Sequence, residues 1–248
     1  MKNCKIAVAI VLILLMSSFP ALGQEKISVA VAANYIAAFK ELAADFETKT
    51  KIKVEGTFSS TGNLYSQITN GAPYDIFLSA DEKRPDILYR DGLADQPFVY
   101  ARGQVVLWSA NINFCKAKEW QDALKNDLIK KIAIANPVTA PYGTAAQTVL
   151  RKTGLWDALL TKLVYGETIA QTFQYASTSA VDAGFCALSA TVSVEGKKGC
   201  FYAISEAPDI IQSACLLKRS QNRKAAEQFV AFLSSGEAQK IKAKFGYR

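Results

Sequence analysis

The stretch Lys26-Ile27-Ser28-Val29-Ala30-Val31-Ala32-Ala33-Asn34-Tyr35-Ile36-Ala37-Ala38-Phe39-Lys40-Glu41-Leu42-Ala43-Ala44-Asp45-Phe46 decides the fold. Residues 27–32 form an apolar run of strand length. Ile36, Phe39, Leu42 and Phe46 then recur at helical spacing, so a buried strand hands over to a helix, with Asn34 placed to cap it. The pattern continues outward. Residues 51–58 alternate as a second strand, Leu64 and Ile68 mark a short helix closed by Gly71, and residues 75–79 make a third strand. Strand and helix in strict alternation predict a parallel sheet covered by helices on both faces.

A second series begins with a strand over 104–109. Further strands follow over 131–135, 163–165, 183–188 and 201–204, with helices over 143–153 and from Thr168 between them. Phe229, Phe232 and Ile241 place amphipathic helices in the tail, over 222–245. No single hydrophobic layer dominates, so the expectation is an α/β protein of two lobes. The chain is expected to cross between them near 100–102 and again near 213–218. Lobe 1 then comprises residues 24–101 and about 217–248, and lobe 2 residues 102–216.

The chain has 248 residues and no histidine. That one absence removes Ser-His and Cys-His nucleophile pairs, His-ligated zinc and the HExxH helix. The net charge of +7 comes from scattered basic residues, densest at Lys218, Arg219, Arg223 and Lys224. No basic stripe is interleaved with aromatics, which argues against a nucleic-acid surface. Lys2 and Lys5, the apolar run 6–16 and the site Ala21-Leu22-Gly23 have the form of a secretory signal cleaved near Gly23. Cys4 precedes the apolar run and leaves with the signal. Cys115, Cys186, Cys200 and Cys215 remain, and in an oxidising compartment complete pairing allows three connectivities. Cys186 lies in an apolar run that suits a buried free thiol.

Four loops lie where strands hand over to helices: Ala32-Ala33-Asn34-Tyr35, Ser59-Ser60-Thr61-Gly62, Ala140-Pro141-Tyr142-Gly143 and Glu167-Thr168-Ile169-Ala170. In open α/β sheets ligands bind there, because helix amino termini present free N–H groups. Each loop taken singly reads as an ordinary helix cap. Together, from both lobes, they assemble neutral donors of little bulk, the chemistry of a tetrahedral oxyanion site. Other groupings carry less. Asp75, Asp81 and Glu82 read better as an acidic helix start than as catalytic carboxylates, Gly196-Lys197-Lys198-Gly199 lacks the P-loop frame, and Trp108, Trp120 and Trp156 read as packing residues.

These loops, together with 70–83 (Asn70-Gly71-Ala72-Pro73-Tyr74-Asp75-Ile76-Phe77-Leu78-Ser79-Ala80-Asp81-Glu82-Lys83), Val106-Leu107-Trp108-Ser109-Ala110, Asn136-Pro137 and Ala183-Gly184-Phe185, closely resemble the periplasmic molybdate-binding proteins that serve ABC-type importers. The resemblance runs from Lys26 to about Tyr247. It implies a two-lobed periplasmic binding protein fold of type II, with one dehydrated tetrahedral dianion in the cleft. By position, the implied ligands are Asn34 with the backbone of Ala33, Thr61 with Ser60 beside it, Tyr142, and the backbone N–H of Ile169. Members of the enteric type carry Ser where Asn34 stands and use a Tyr where Ala187 stands. This sequence resembles instead the branch with Asn in the first loop and Ala-Pro-Tyr-Gly in the third, so Tyr142 replaces the missing phenol and Ala187 is not a ligand.

The resemblance implies no catalytic residue and no resident cofactor, and no metal other than that of molybdate or tungstate held through its oxygens. The implied partner is a membrane permease, and the protein is expected to be a periplasmic monomer that binds no nucleic acid. Sulfate or phosphate receptors are the nearest alternative. Phosphate near neutrality keeps a proton and wants an acceptor, a role the Asn34 amide oxygen is able to fill; sulfate differs mainly in size. An exported enzyme is disfavoured because no nucleophile has a partnered base, and a scaffold would have no use for such a site.

Overall fold

A computed structural model describes residues 25–248. The export signal expected over 1–23, with Cys4, lies outside them. From the amino end run β1 (Lys26–Ala32), α1 (Ile36–Thr50), β2 (Lys53–Ser59), α2 (Thr61–Thr69), β3 (Ile76–Leu78), α3 (Lys83–Arg90) and β4 (Phe98–Gly103). The chain then builds β5 (Val105–Ser109), α4 (Trp120–Lys125), β6 (Ile132–Ala135), α5 (Pro141–Lys152), α6 (Trp156–Leu159), β7 (Leu163–Gly166), α7 (Ile169–Ser177), β8 (Ala183–Ala187), α8 (Leu188–Thr191) and β9 (Cys200–Ala203). It closes with β10 (Ile210–Leu216), α9 (Arg223–Leu233) and α10 (Gly236–Lys244).

The strands form two five-stranded sheets, ordered β2-β1-β3-β10-β4 and β7-β6-β8-β5-β9. β1 pairs in parallel with β2 from Lys26↔Lys53 to Ala32↔Ser59, and with β3 through Val29↔Ile76. β6 likewise pairs in parallel with β7 and β8. Each sheet also takes one reversed strand into its interior. β10 runs antiparallel to β3 and β4, and β5 runs antiparallel to β8 and β9.

The helical spacing read in α1 is the buried face of that helix. Phe39 and Phe46 make edge contacts with Phe229 of α9, at centroid separations of 6.2 and 5.1 Å. Each such ring, fully buried, contributes on the order of 1.5–3 kcal/mol by leaving water. Lys51, in the left-handed region at φ 64°, stops α1 before β2. Gly71, at φ 96°, reverses the chain after α2, where a Cβ would be strained. In the other lobe Leu107, Ile132, Ile134, Val149 and Phe185 form the core, and Trp120 packs edge-on to Phe185.

Two readings are corrected. β10, which the boundary at 216/217 gave to the second lobe, is paired into the first sheet, so the chain leaves that sheet after Gly103 and re-enters it at Ile210. The strand escaped notice because Gln212 and Ser213 interrupt its apolar run, and the register shifts between them. Asn34 does not cap α1. It lies in a tight 3-10 turn, Ala33–Tyr35, and makes no side-chain capping bond; Tyr35 precedes the helix.

Candidate functional site

The four loops converge. Ala33, Asn34, Ser60, Thr61, Tyr142 and Ile169 line one small, tightly closed cavity of about 10 Å³, together with Ala32, Ala80, Ala140 and Pro141. The first three loops and the fourth follow the carboxyl ends of β1, β2, β6 and β7, the strand ends at which parallel sheets bind ligands. Ala187 is not in the lining. Ala80 is the lining residue that sequence reasoning missed; its only signal was its place just after β3.

The local structure explains why these loops face inward with donors to spare. The first N–H groups of a helix have no partner within it. Ser60 caps α2 by accepting from the Asn63 N–H at 3.4 Å, and Thr168 caps α7 by accepting from the Gln171 N–H at 3.1 Å. Both caps serve the third turn position and leave the first N–H groups, those of Thr61 and Ile169, at the cavity wall. α5 starts with Pro141, which has no N–H, so its first donor is Tyr142. The Thr61 hydroxyl accepts from the buried Ala80 N–H at 3.1 Å, which leaves its own proton to donate elsewhere. None of the ten lining residues is Lys, Arg, Asp or Glu. Attraction for an anion therefore rests on helix termini and hydroxyls, each helix end acting as roughly half a positive charge.

Behind the cavity lies a buried polar cluster that joins distant parts of the chain. Asn34 Nδ2 donates to Gln212 Oε1 at 2.8 Å and to Tyr247 Oη at 3.1 Å, so both of its amide hydrogens are committed. Tyr100 Oη donates to the same Gln212 oxygen at 3.1 Å. The Asn34 carbonyl accepts from Tyr247 Oη at 2.6 Å and from Ser189 Oγ at 3.0 Å. Tyr142 Oη and Gln212 Nε2 are buried against this cluster, beside Asn34 and Tyr247, without a hydrogen bond of good geometry among the described residues.

The lobes also meet at the rim. The Gly62 N–H donates to the Thr139 carbonyl at 2.8 Å, and Asn63 Nδ2 reaches Glu167 Oε2 at 3.5 Å. Arg84, ion-paired with Asp81, donates from Nη2 to the Val138 carbonyl at 3.1 Å.

Burial pushes the phenols of Tyr35, Tyr100 and Tyr142 well above the ordinary tyrosine range, and that of Tyr247 up to about 12. A phenol whose pKa is higher in the folded state gives no pH dependence below the unfolded value near 10; the stability it confers is lost as pH rises from there through the folded value. Stability should therefore be insensitive to these groups up to about pH 10 and fall steeply between about 10 and 12. An ultraviolet titration of tyrosinate should show these four ionising only as the circular-dichroism signal collapses. Their ionisation in the native state would contradict this.

Two α/β lobes closed on a small, uncharged, donor-lined cavity define a solute-binding protein. The family described as bacterial extracellular solute-binding protein matches residues 27–248, and the chain belongs to it. It is 39% identical over 227 residues to the molybdate-binding protein ModA of Azotobacter vinelandii, covering 90% of this chain and 89% of that protein. It is equally 39% identical over 232 residues to ModA of Rhodobacter capsulatus, covering 93% and 90%. The solved periplasmic molybdate-binding protein of Azotobacter vinelandii superposes with a TM-score of 0.85 at 33% identity, covering 90% of this chain and 98% of that one.

Proposed function

We propose that this protein captures molybdate, and tungstate with it, and delivers the anion to an ABC-type permease without changing it covalently. The observation that carries the reading is the cavity itself, closed by both lobes and furnished with neutral donors and no fixed charge. The two molybdate-binding relatives support the choice of anion. A dianion suits such a site. Charge-assisted hydrogen bonds in a desolvated pocket are about twice as strong as neutral ones, so several neutral donors hold it without a counter-ion.

The proposed contacts are the backbone N–H groups of Ala33, Asn34 and Ile169, the hydroxyls of Ser60 and Thr61, and the N–H and phenol of Tyr142. Asn34 enters through its backbone, because its amide hydrogens are spent on Gln212 and Tyr247. The closing units are residues 25–103 with 210–248, and residues 104–209. The protein acts as a periplasmic monomer, its export signal removed near Gly23.

Calorimetric titration with molybdate, tungstate, sulfate and phosphate is the decisive test. Saturation at one anion per chain is expected for the first two, with little heat from the others. Tight sulfate binding with no response to molybdate would refute the choice of ligand.

A further inference from the structure

We infer that Gly103 is a positioning residue for cleft closure, its bare Cα forming the socket in which the Tyr142 phenol seats. The inference rests on the anion-binding reading above and names a residue that sets its geometry. Gly103 ends β4, pairs with Ile210 of β10, and stands one residue before the strand-to-strand crossing into the second lobe. Tyr142 arrives from that second lobe, at the start of α5. The two meet across the boundary between the lobes.

The fit leaves no room for a side chain. A Cβ on Gly103 would lie 2.1 Å from Tyr142 Oη, 3.2 Å from Tyr142 Cζ and 2.8 Å from Gln212 Nε2. Conflict with the end of a side chain is cheap only if that side chain can swing aside. Tyr142 is 1% exposed and Gln212 0%, so neither can. Gly103 is not among the positive-φ residues, so space and not backbone conformation demands glycine here. The socket is also wired to the first loop: Gln212, whose amide nitrogen faces it, holds Asn34 through its oxygen. A side chain at 103 therefore holds the amino end of α5 away from the loops of Asn34 and Thr61, and the donors of the two lobes no longer converge.

The test is a cycle of Gly103→Ala, Tyr142→Phe and the double variant, each titrated with molybdate and measured by small-angle scattering with and without it. Tyr142→Phe alone should weaken binding on the order of 10-fold, by losing one hydrogen bond to the charged ligand. Gly103→Ala should weaken it at least 10-fold and leave the liganded protein with a larger radius, because the competent closed state is less populated. In the double variant the 2.1 Å conflict is gone, and the space the phenol oxygen leaves is what the Gln212 amide, otherwise held in place, needs to relax its own 2.8 Å conflict, so Gly103→Ala should cost less beyond Tyr142→Phe than it costs alone. Rescue of affinity and of compaction is something a merely destabilising alanine would not give. A wild type that binds and compacts, beside a Gly103→Ala variant that does the same, overturns the socket, as does a double variant whose losses simply add. A wild type that neither binds nor compacts counts against the molybdate reading instead. Amide exchange at Tyr142 in anion-free protein then still decides the socket: it should be faster in Gly103→Ala and restored in the double variant, and equal rates in all four proteins overturn it.

Discussion

Replacing Cys115 and Cys200 together by alanine should lower the unfolding free energy by roughly 4 kcal/mol while leaving anion affinity unchanged. The two cysteines are joined in a disulfide, with Cα atoms 6.1 Å apart and a sequence separation of 85. Opening so long a loop restores chain entropy to the unfolded state, and the loop-closure model gives on the order of 4–5 kcal/mol for this length. Neither residue lines the anion cavity, and both belong to the second lobe, at the turn before α4 and at the start of β9. Urea unfolding should show the midpoint shift, and calorimetry should show unaltered binding.

The other two thiols give an independent check. Cys186 in β8 and Cys215 in β10 are buried, and burial raises the Cys215 thiol to about 12 and that of Cys186 further. With so little thiolate they neither exchange with the disulfide nor react. In the chain without its expected export signal, which carries Cys4, a thiol reagent should therefore find no reactive group in native protein, two after unfolding without reductant, and four after unfolding with it. A double variant as stable as wild type would mean that the bond spans a region already ordered in the unfolded chain.

The parts of this structure that were legible in the sequence are the local ones. β1 declares itself as a short apolar run, α1 by the helical recurrence of Phe39, Leu42 and Phe46 within its 15 residues, and β2 by its alternation, and Ser60 and Thr168 mark helix starts through cap chemistry that needs no distant partner. β10 was misplaced because its partners, β3 and β4, lie more than 100 residues away and its own apolar run is broken by Gln212. Gln212 is polar because it serves Asn34 and Tyr100, a reason visible only in three dimensions. The same holds for Asn34. Its residue type fits both a helix cap and an anion ligand, yet its side chain is spent on Tyr247, 213 residues away. Each of the three complete connectivities pairs all four cysteines; the folded chain instead joins Cys115 to Cys200 alone and leaves Cys186 and Cys215 as free thiols buried in separate sheets.

Thr61→Ala should lower molybdate affinity by roughly 10- to 100-fold and also lower the melting temperature without anion. The two effects have different causes in one hydroxyl. As a donor, the Thr61 hydroxyl gives a bond to a charged ligand, typically worth about 1.5–3 kcal/mol, and each 1.4 kcal/mol is tenfold in affinity. As an acceptor it satisfies the Ala80 N–H, and leaving that buried group unpaired costs about 1–3 kcal/mol. For a chain of this size a loss of 1 kcal/mol moves the melting temperature by roughly 2–4 °C. Thr61→Ser keeps both functions and should bind and melt nearly as wild type. Thr61→Val keeps the shape, loses both, and should behave as the alanine variant does, which separates hydrogen bonding from lost packing. Should Thr61→Ala melt early yet bind molybdate normally, the hydroxyl serves Ala80 alone, and the anion is held on this side by the first N–H groups of α2 and by Ser60.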